Sequence, residues 1–87
     1  MKVLICDDEA LARERLARFL KDMDGYEIVG EAENARAALT QAEATSPDIV
    51  LLDLRMPVMD GMACAERLAQ LPEPPAVIFC TAYDEHA

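Results

Sequence analysis

Residues 48–61 read DIVLLDLRMPVMDG, and the reading of this stretch decides the fold. Ile49, Val50, Leu51 and Leu52 form an unbroken apolar run that stops abruptly on Asp53, with Met56 and Pro57 close behind. A continuous Val/Ile/Leu run of this length predicts a strand of a parallel sheet, buried on both faces. In open parallel sheets, ligands bind beyond the carboxyl ends of the strands. Asp53 stands at such an end, where a carboxylate is reachable while its backbone is held rigid.

Working outward, similar signals repeat on both sides. Lys2 to Cys6 is a short apolar run, a first strand, ending on Asp7-Asp8-Glu9. Residues 10–23 carry Ala12, Leu16, Phe19, Leu20 and Met23 at helical spacing, with Arg13, Arg15, Arg18 and Lys21 off that stripe or at its borders. Gly25 is a stop signal. Residues 26–32 mix polar and apolar positions, with Glu27 and Glu31 flanking Ile28 and Gly30, which predicts an exposed edge strand. Asn34 is a good N-cap for a second helix, with Ala35, Ala38, Leu39 and Ala42 on one face, and Ser46-Pro47 ends it. Beyond residue 53, Asp60 caps a third helix running to Leu71, with Cys64, Ala65, Leu68 and Leu71 inward. Pro72, Pro74 and Pro75 stiffen the next connection. Residues 76–80 predict another buried strand, ending at Thr81.

The order β-α-β-α-β-α-β implies an α/β domain with a parallel sheet and right-handed crossovers. No repeat, low-complexity tract or linker interrupts it. The expectation from the missing helix after the fourth strand is a truncated domain with one sheet face partly bare. A bare apolar face favours self-association, so a homo-oligomer is expected.

Composition narrows the partners. The 87 residues hold 8 Lys plus Arg against 17 Asp plus Glu, a net charge of −9. That balance argues against direct nucleic-acid contact or an anionic membrane surface, and favours cations and basic partner surfaces. At 53% apolar and 29% charged, the chain reads as globular. It buries only about 60–65% of its unfolded surface, so its core is marginal. The N-terminus turns acidic too soon for a signal peptide, and no run approaches the ~20 apolar residues of a membrane span. Cys6, Cys64 and Cys80 are widely spaced, and His86 is the one histidine. Reduced thiols in a cytoplasmic setting are the simplest reading, and a zinc site is not expected.

Three strands end on polar residues: Asp7 and Asp8, then Asp53, then Thr81. In a parallel sheet these ends share one edge, so three carboxylates crowd into one pocket. They repel, and a pKa rises unless a cation binds. Mg²⁺ fits, since it takes one or two carboxylates, keeps waters and accepts phosphate oxygens. A carboxylate beside it can attack phosphorus and become an aspartyl phosphate.

The DDE after the first strand, the D-x-R-M-P-x-M-D-G beginning at Asp53, and the Thr81-Ala82 after the fourth strand closely resemble the receiver domains of two-component response regulators. The resemblance covers the whole chain. It implies a flavodoxin/CheY-like sheet of strand order 2-1-3-4 with helices on both faces. It implies Asp53 as phosphoacceptor, Asp8 as direct metal ligand, Asp7 acting through metal-bound water, and the Arg55 carbonyl as a further ligand. Thr81 resembles the switch hydroxyl, and Pro57 and Gly61 shape the loop after Asp53. The implied partner is a histidine kinase, and the implied chemistry is limited to magnesium-dependent self-phosphorylation and slow self-dephosphorylation. ALARERL after the acidic pair and VIFCTAYDEHA at the end are most similar to receivers of LytTR-type DNA-binding regulators, which implies transcriptional output through a domain outside this chain. Against the family's five βα units, helix 4, strand 5 and helix 5 are missing, and with them an aromatic switch residue and a lysine.

Other readings of the residues stand beside this one. A magnesium phosphohydrolase needs a second acid two residues after its nucleophile, where Arg55 stands. A nucleotide or flavin binder needs a glycine-rich loop, and the chain has three glycines in all. A fragment acting only as a structural or dimerisation module with an impaired site is the fourth. Arg13, Arg15 and Arg18 read as a solvated helix face or as a dock for the phosphodonor's helix.

Overall fold

The apolar runs pair as parallel strands in the computed structural model, which describes residues 1–53 and 61–80. The elements are β1 (Lys2–Cys6), α1 (Ala10–Lys21), β2 (Glu27–Ala32), α2 (Ala35–Thr45), β3 (Ile49–Leu52), α3 (Gly61–Leu68) and β4 (Ala76–Phe79). The strand order is β2-β1-β3-β4, all parallel. The chain moves from β1 outward to β2, then returns to the other side of β1 for β3. This reversal makes the carboxyl ends of β1 and β3 neighbours, with Cys6 opposite Leu52.

Register sorts the side chains into two faces. Leu4, Cys6, Val50 and Leu52 join Ala35, Ala38 and Ala42 of α2 and Cys64 and Leu68 of α3 in one buried core. The alanines are at most 2% exposed. Their short side chains let α2 lie close to the sheet, as their spacing predicted. Close approach recurs at Gly30, where an added Cβ would lie 2.2 Å from Gln41 Oε1. That space lets Gln41 Nε2 donate to the Glu31 carbonyl at 2.9 Å.

α2 starts where Asn34 places it. The Asn34 side chain accepts from the Ala37 N–H at 2.8 Å, filling one orphan donor of the first turn. Ser46 closes the helix in the left-handed region, at φ 47°. Asn34→Ala is expected to lower stability by about 1 kcal/mol, read from the urea midpoint.

The opposite face is the partly bare one that was expected, although single strands on it are less covered than their composition suggests. It carries Val3, Ile5, Ile49, Leu51 and Ile78, and α1 packs against β1 and β2 on that side. Both faces of β3 were expected to be buried, yet Ile49 and Leu51 are half-exposed while Val50 and Leu52 are buried. β4 was expected to be buried too, yet Ala76, Ile78 and Phe79 are exposed. The reason is position. Among the described strands β4 stands at an edge, and α1 lies over β1 and β2. α1 itself buries no residue fully, and Phe19 and Met23 of its stripe are 66% and 50% exposed. α1 and α3 end at Lys21 and Leu68, short of the expected Met23 and Leu71. The expected cap Asp60 lies outside the described residues. None of the described helices is long and apolar enough to cross a membrane.

Candidate functional site

Asp7 follows β1 and Asp53 follows β3, so the paired ends of two central strands carry a carboxylate each. Backbone ladders hold both: the Asp7 N–H donates to the Ala32 carbonyl and the Asp53 N–H to the Cys6 carbonyl, each at 3.0 Å. Asp8 completes the group. One carboxylate oxygen from each of Asp7, Asp8 and Asp53 lies within 4.8 Å of the other two. Residues 46 positions apart in sequence thus meet at the switch point between β1 and β3, where open α/β sheets bind ligands.

Burial separates this group from ordinary surface acids. Asp7 is 5% and Asp53 8% exposed, while Asp8 faces solvent. The Asp7 carboxyl is pushed above its usual range, first by burial and then by the charges of Asp53 and Asp8. The Glu9 N–H, donating to Asp7 Oδ1 at 2.9 Å, pulls the other way. This bond is a local turn of Asp7 onto Glu9. The N-cap of α1 is Glu9, whose side chain makes no capping bond. Hard oxygen donors, close together and partly desolvated, fit a small divalent cation.

The described residues bring together Asp7, Asp8 and Asp53, with Gly61 buried as the first residue of α3. Thr81, Arg55 and Pro57 lie outside the described residues. From the sequence, Arg13 reads as part of a solvated helix face or as a dock for the phosphodonor's helix. Its Nη1 instead donates to the Asp7 carbonyl at 2.7 Å, and its Nε lies 3.5 Å from Glu31 Oε1. The available signal was its place six residues after Asp7, on the border of the apolar stripe.

Two of the cysteines, Cys6 and Cys64, belong to the buried core. Burial first, then Cys64, Asp7 and Asp53, push the Cys6 thiol from 9.0 up to about 12, with Arg13 opposing. The folded form therefore keeps a proton that the unfolded chain loses. This contribution to stability is full below pH 9.0 and is lost as pH rises to about 12, by up to about 1.4 kcal/mol per pH unit. Iodoacetamide at mildly alkaline pH is expected to modify half-exposed Cys80 first. Cys6 and Cys64 should react only as the protein unfolds, which peptide mapping reads.

The chain belongs to the response regulator receiver domain family, which it matches over residues 3–87. It is 57% identical to the positive alginate biosynthesis regulatory protein of Pseudomonas aeruginosa, covering 100% of this chain and 36% of that protein. It is 41% identical to the sensory transduction protein LytT of Bacillus subtilis, again over 100% of this chain and 36% of the relative. The chain thus spans about a third of the length of these relatives. Among solved structures, the signal receiver domain of the response regulator NarL from Mycobacterium tuberculosis superposes with a TM-score of 0.87 at 39% identity, covering 97% of this chain and 68% of that one. CheY in a CheX–CheY–BeF3–Mg complex from Borrelia burgdorferi gives 0.86 at 28%, over 99% and 66%.

Proposed function

We propose that this receiver domain takes a phosphoryl group onto Asp53 from a histidine kinase, with Mg²⁺ held by the acids at the β1/β3 edge. The observation that carries the reading is the convergence of Asp7, Asp8 and Asp53 within 4.8 Å, two of them buried. Asp8 and Asp53 would supply direct carboxylate ligands, Asp7 would act through metal-bound water, and the Arg55 carbonyl would complete the protein's share. When bound, the ion neutralises charge on the transferring group.

The chain's own part is positional. The Asp53 N–H is tied to β1, so its carboxylate is held at a rigid strand end. A carboxylate oxygen of Asp53 forms a bond to phosphorus as the bond from phosphorus to the donor's imidazole nitrogen, or to acetate oxygen in a small donor, breaks. The leaving group keeps that electron pair. Water later cleaves the acyl phosphate, which limits the signal's lifetime. Thr81 is proposed as the hydroxyl that reads the phosphoryl group, and Pro57 and Gly61 as the residues shaping the loop between.

Output is proposed to run through a LytTR-type DNA-binding domain outside this chain, in the cytoplasm, without direct nucleic-acid contact by this segment. Helix 4, strand 5 and helix 5 of a full receiver are likewise proposed to lie outside it. Self-association through the open face is a further part of the proposal, checked by light scattering: a monomer at high concentration removes it. The main test is incubation with Mg²⁺ and acetyl phosphate, read by intact mass. One phosphate should be gained with magnesium and none with a chelator. Gain that ignores the chelator would overturn the metal's role.

A further inference from the structure

We infer that Arg13 is a positioning residue for the acidic cluster, acting through the main chain of Asp7. The inference rests on the reading of Asp7, Asp8 and Asp53 as a magnesium site. One guanidinium spans three elements: it projects from α1, donates from Nη1 to the Asp7 carbonyl at the end of β1 at 2.7 Å, and pairs through Nε with Glu31 of β2 at 3.5 Å. Its side chain is 17% exposed, against 77% for that of Arg18 on the same helix. Arg13 is therefore not one of the solvated helix-face cations.

The segment it grips is the one that must hold two metal-binding acids. Asp7 is tied to β2 through its N–H to the Ala32 carbonyl at 3.0 Å, and to the following turn through Oδ1, which accepts from Glu9. Glu9 in turn accepts the Arg13 N–H at 3.1 Å, the first bond of α1. Asp8 sits inside this turn, belongs to no strand or helix, and is exposed. Its carboxylate direction is set by how firmly the residues around it are held, and Arg13 supplies a side-chain hold from α1.

At Asp7 the guanidinium meets the main-chain carbonyl oxygen rather than the carboxylate. It orients the turn without taking up the acids' negative charge, which stays available to a cation. Magnesium demands near-ideal octahedral geometry, so small rotations of this turn weaken binding. Removing a partner one layer outside a metal's ligands typically lowers affinity by 10–100-fold.

The test compares the parent chain with Arg13→Ala, Arg13→Lys and Glu31→Gln, using magnesium affinity from isothermal titration calorimetry. Circular dichroism verifies that each protein is fully folded under the conditions used. Arg13→Ala is expected to bind Mg²⁺ about 10-fold more weakly. Arg13→Lys should fall between, since a single ammonium cannot reach both partners with a planar fork. Glu31→Gln, which leaves the bond to Asp7 in place, should stay close to the parent. A merely structural Arg13 would lower the urea midpoint and leave affinity unchanged; equal affinity of parent and Arg13→Ala overturns the inference. Should Arg13→Ala fail to fold, Arg13→Lys decides: weaker binding supports the inference and parental binding overturns it. A parent that binds no magnesium brings down the site reading and this inference with it, a result distinct from equal binding by both proteins.

Discussion

Asp53→Asn is expected to abolish the phosphate adduct entirely while making the metal-free protein more resistant to urea. The two effects have opposite signs because one carboxylate does two things. As the proposed nucleophile, Asp53 has no substitute in the amide, whose oxygen does not form a stable bond to phosphorus. As a charge, Asp53 is 8% exposed and shares its pocket with two other acids. It also helps push the Asp7 carboxyl upward, so Asp7 ionises at some cost while Asp53 is charged. Asparagine keeps the size and removes the repulsion, a gain on the order of 1 kcal/mol. Magnesium should reverse the ranking, stabilising the parent more than the variant, because only the parent keeps all three acids. Intact mass and urea midpoints with and without chelator check both halves. An adduct that persists in the variant would move the nucleophile to another residue.

Leu4→Ala is expected to remove a large part of the total stability. Leu4 is 0% exposed, lies on the central strand, and belongs to the core shared by the sheet, α2 and α3. Truncating such a leucine loses both its transfer free energy and the contacts around the resulting cavity, about 2–5 kcal/mol. At the usual per-residue scale, 87 residues carry roughly 4–13 kcal/mol in all. The variant should therefore unfold at far lower urea and be partly unfolded without it. Leu11→Ala is the control, since Leu11 is 70% exposed and its truncation should change stability by less than about 0.5 kcal/mol. Similar midpoints for the two variants would mean that β1 is not the centre of the core.

Much of the fold was legible because it rests on local patterns. The run of residues 49–52, the alanine stripe of α2 and the Asn34 cap each announce themselves within a few positions, through period and hydrogen-bonding capacity. Among the described residues, four strands and three helices follow in the expected order. The acidic edge was legible for a related reason. Once the strands are parallel, residues that terminate them must share an edge. Asp7, Asp8 and Asp53 then meet whatever the details of packing.

Exposure followed different rules. β4 has the composition of a buried strand, yet Ile78 is 48% and Phe79 40% exposed. Burial depends on which helix covers a strand, and that is decided by elements distant in sequence. Arg13 shows the same limit for a polar group. A stripe diagram of α1 places it off or at the border of the apolar face, whereas its partners are Asp7, just after β1, and Glu31 of β2.

By itself the sequence determined the order of elements, the parallel sheet and the edge on which the acids stand, because these depend on local periodicity and on chain direction. Only the tertiary structure decided which apolar residues are covered and where Arg13 reaches, because both depend on the distance between surfaces that no run of neighbouring residues encodes.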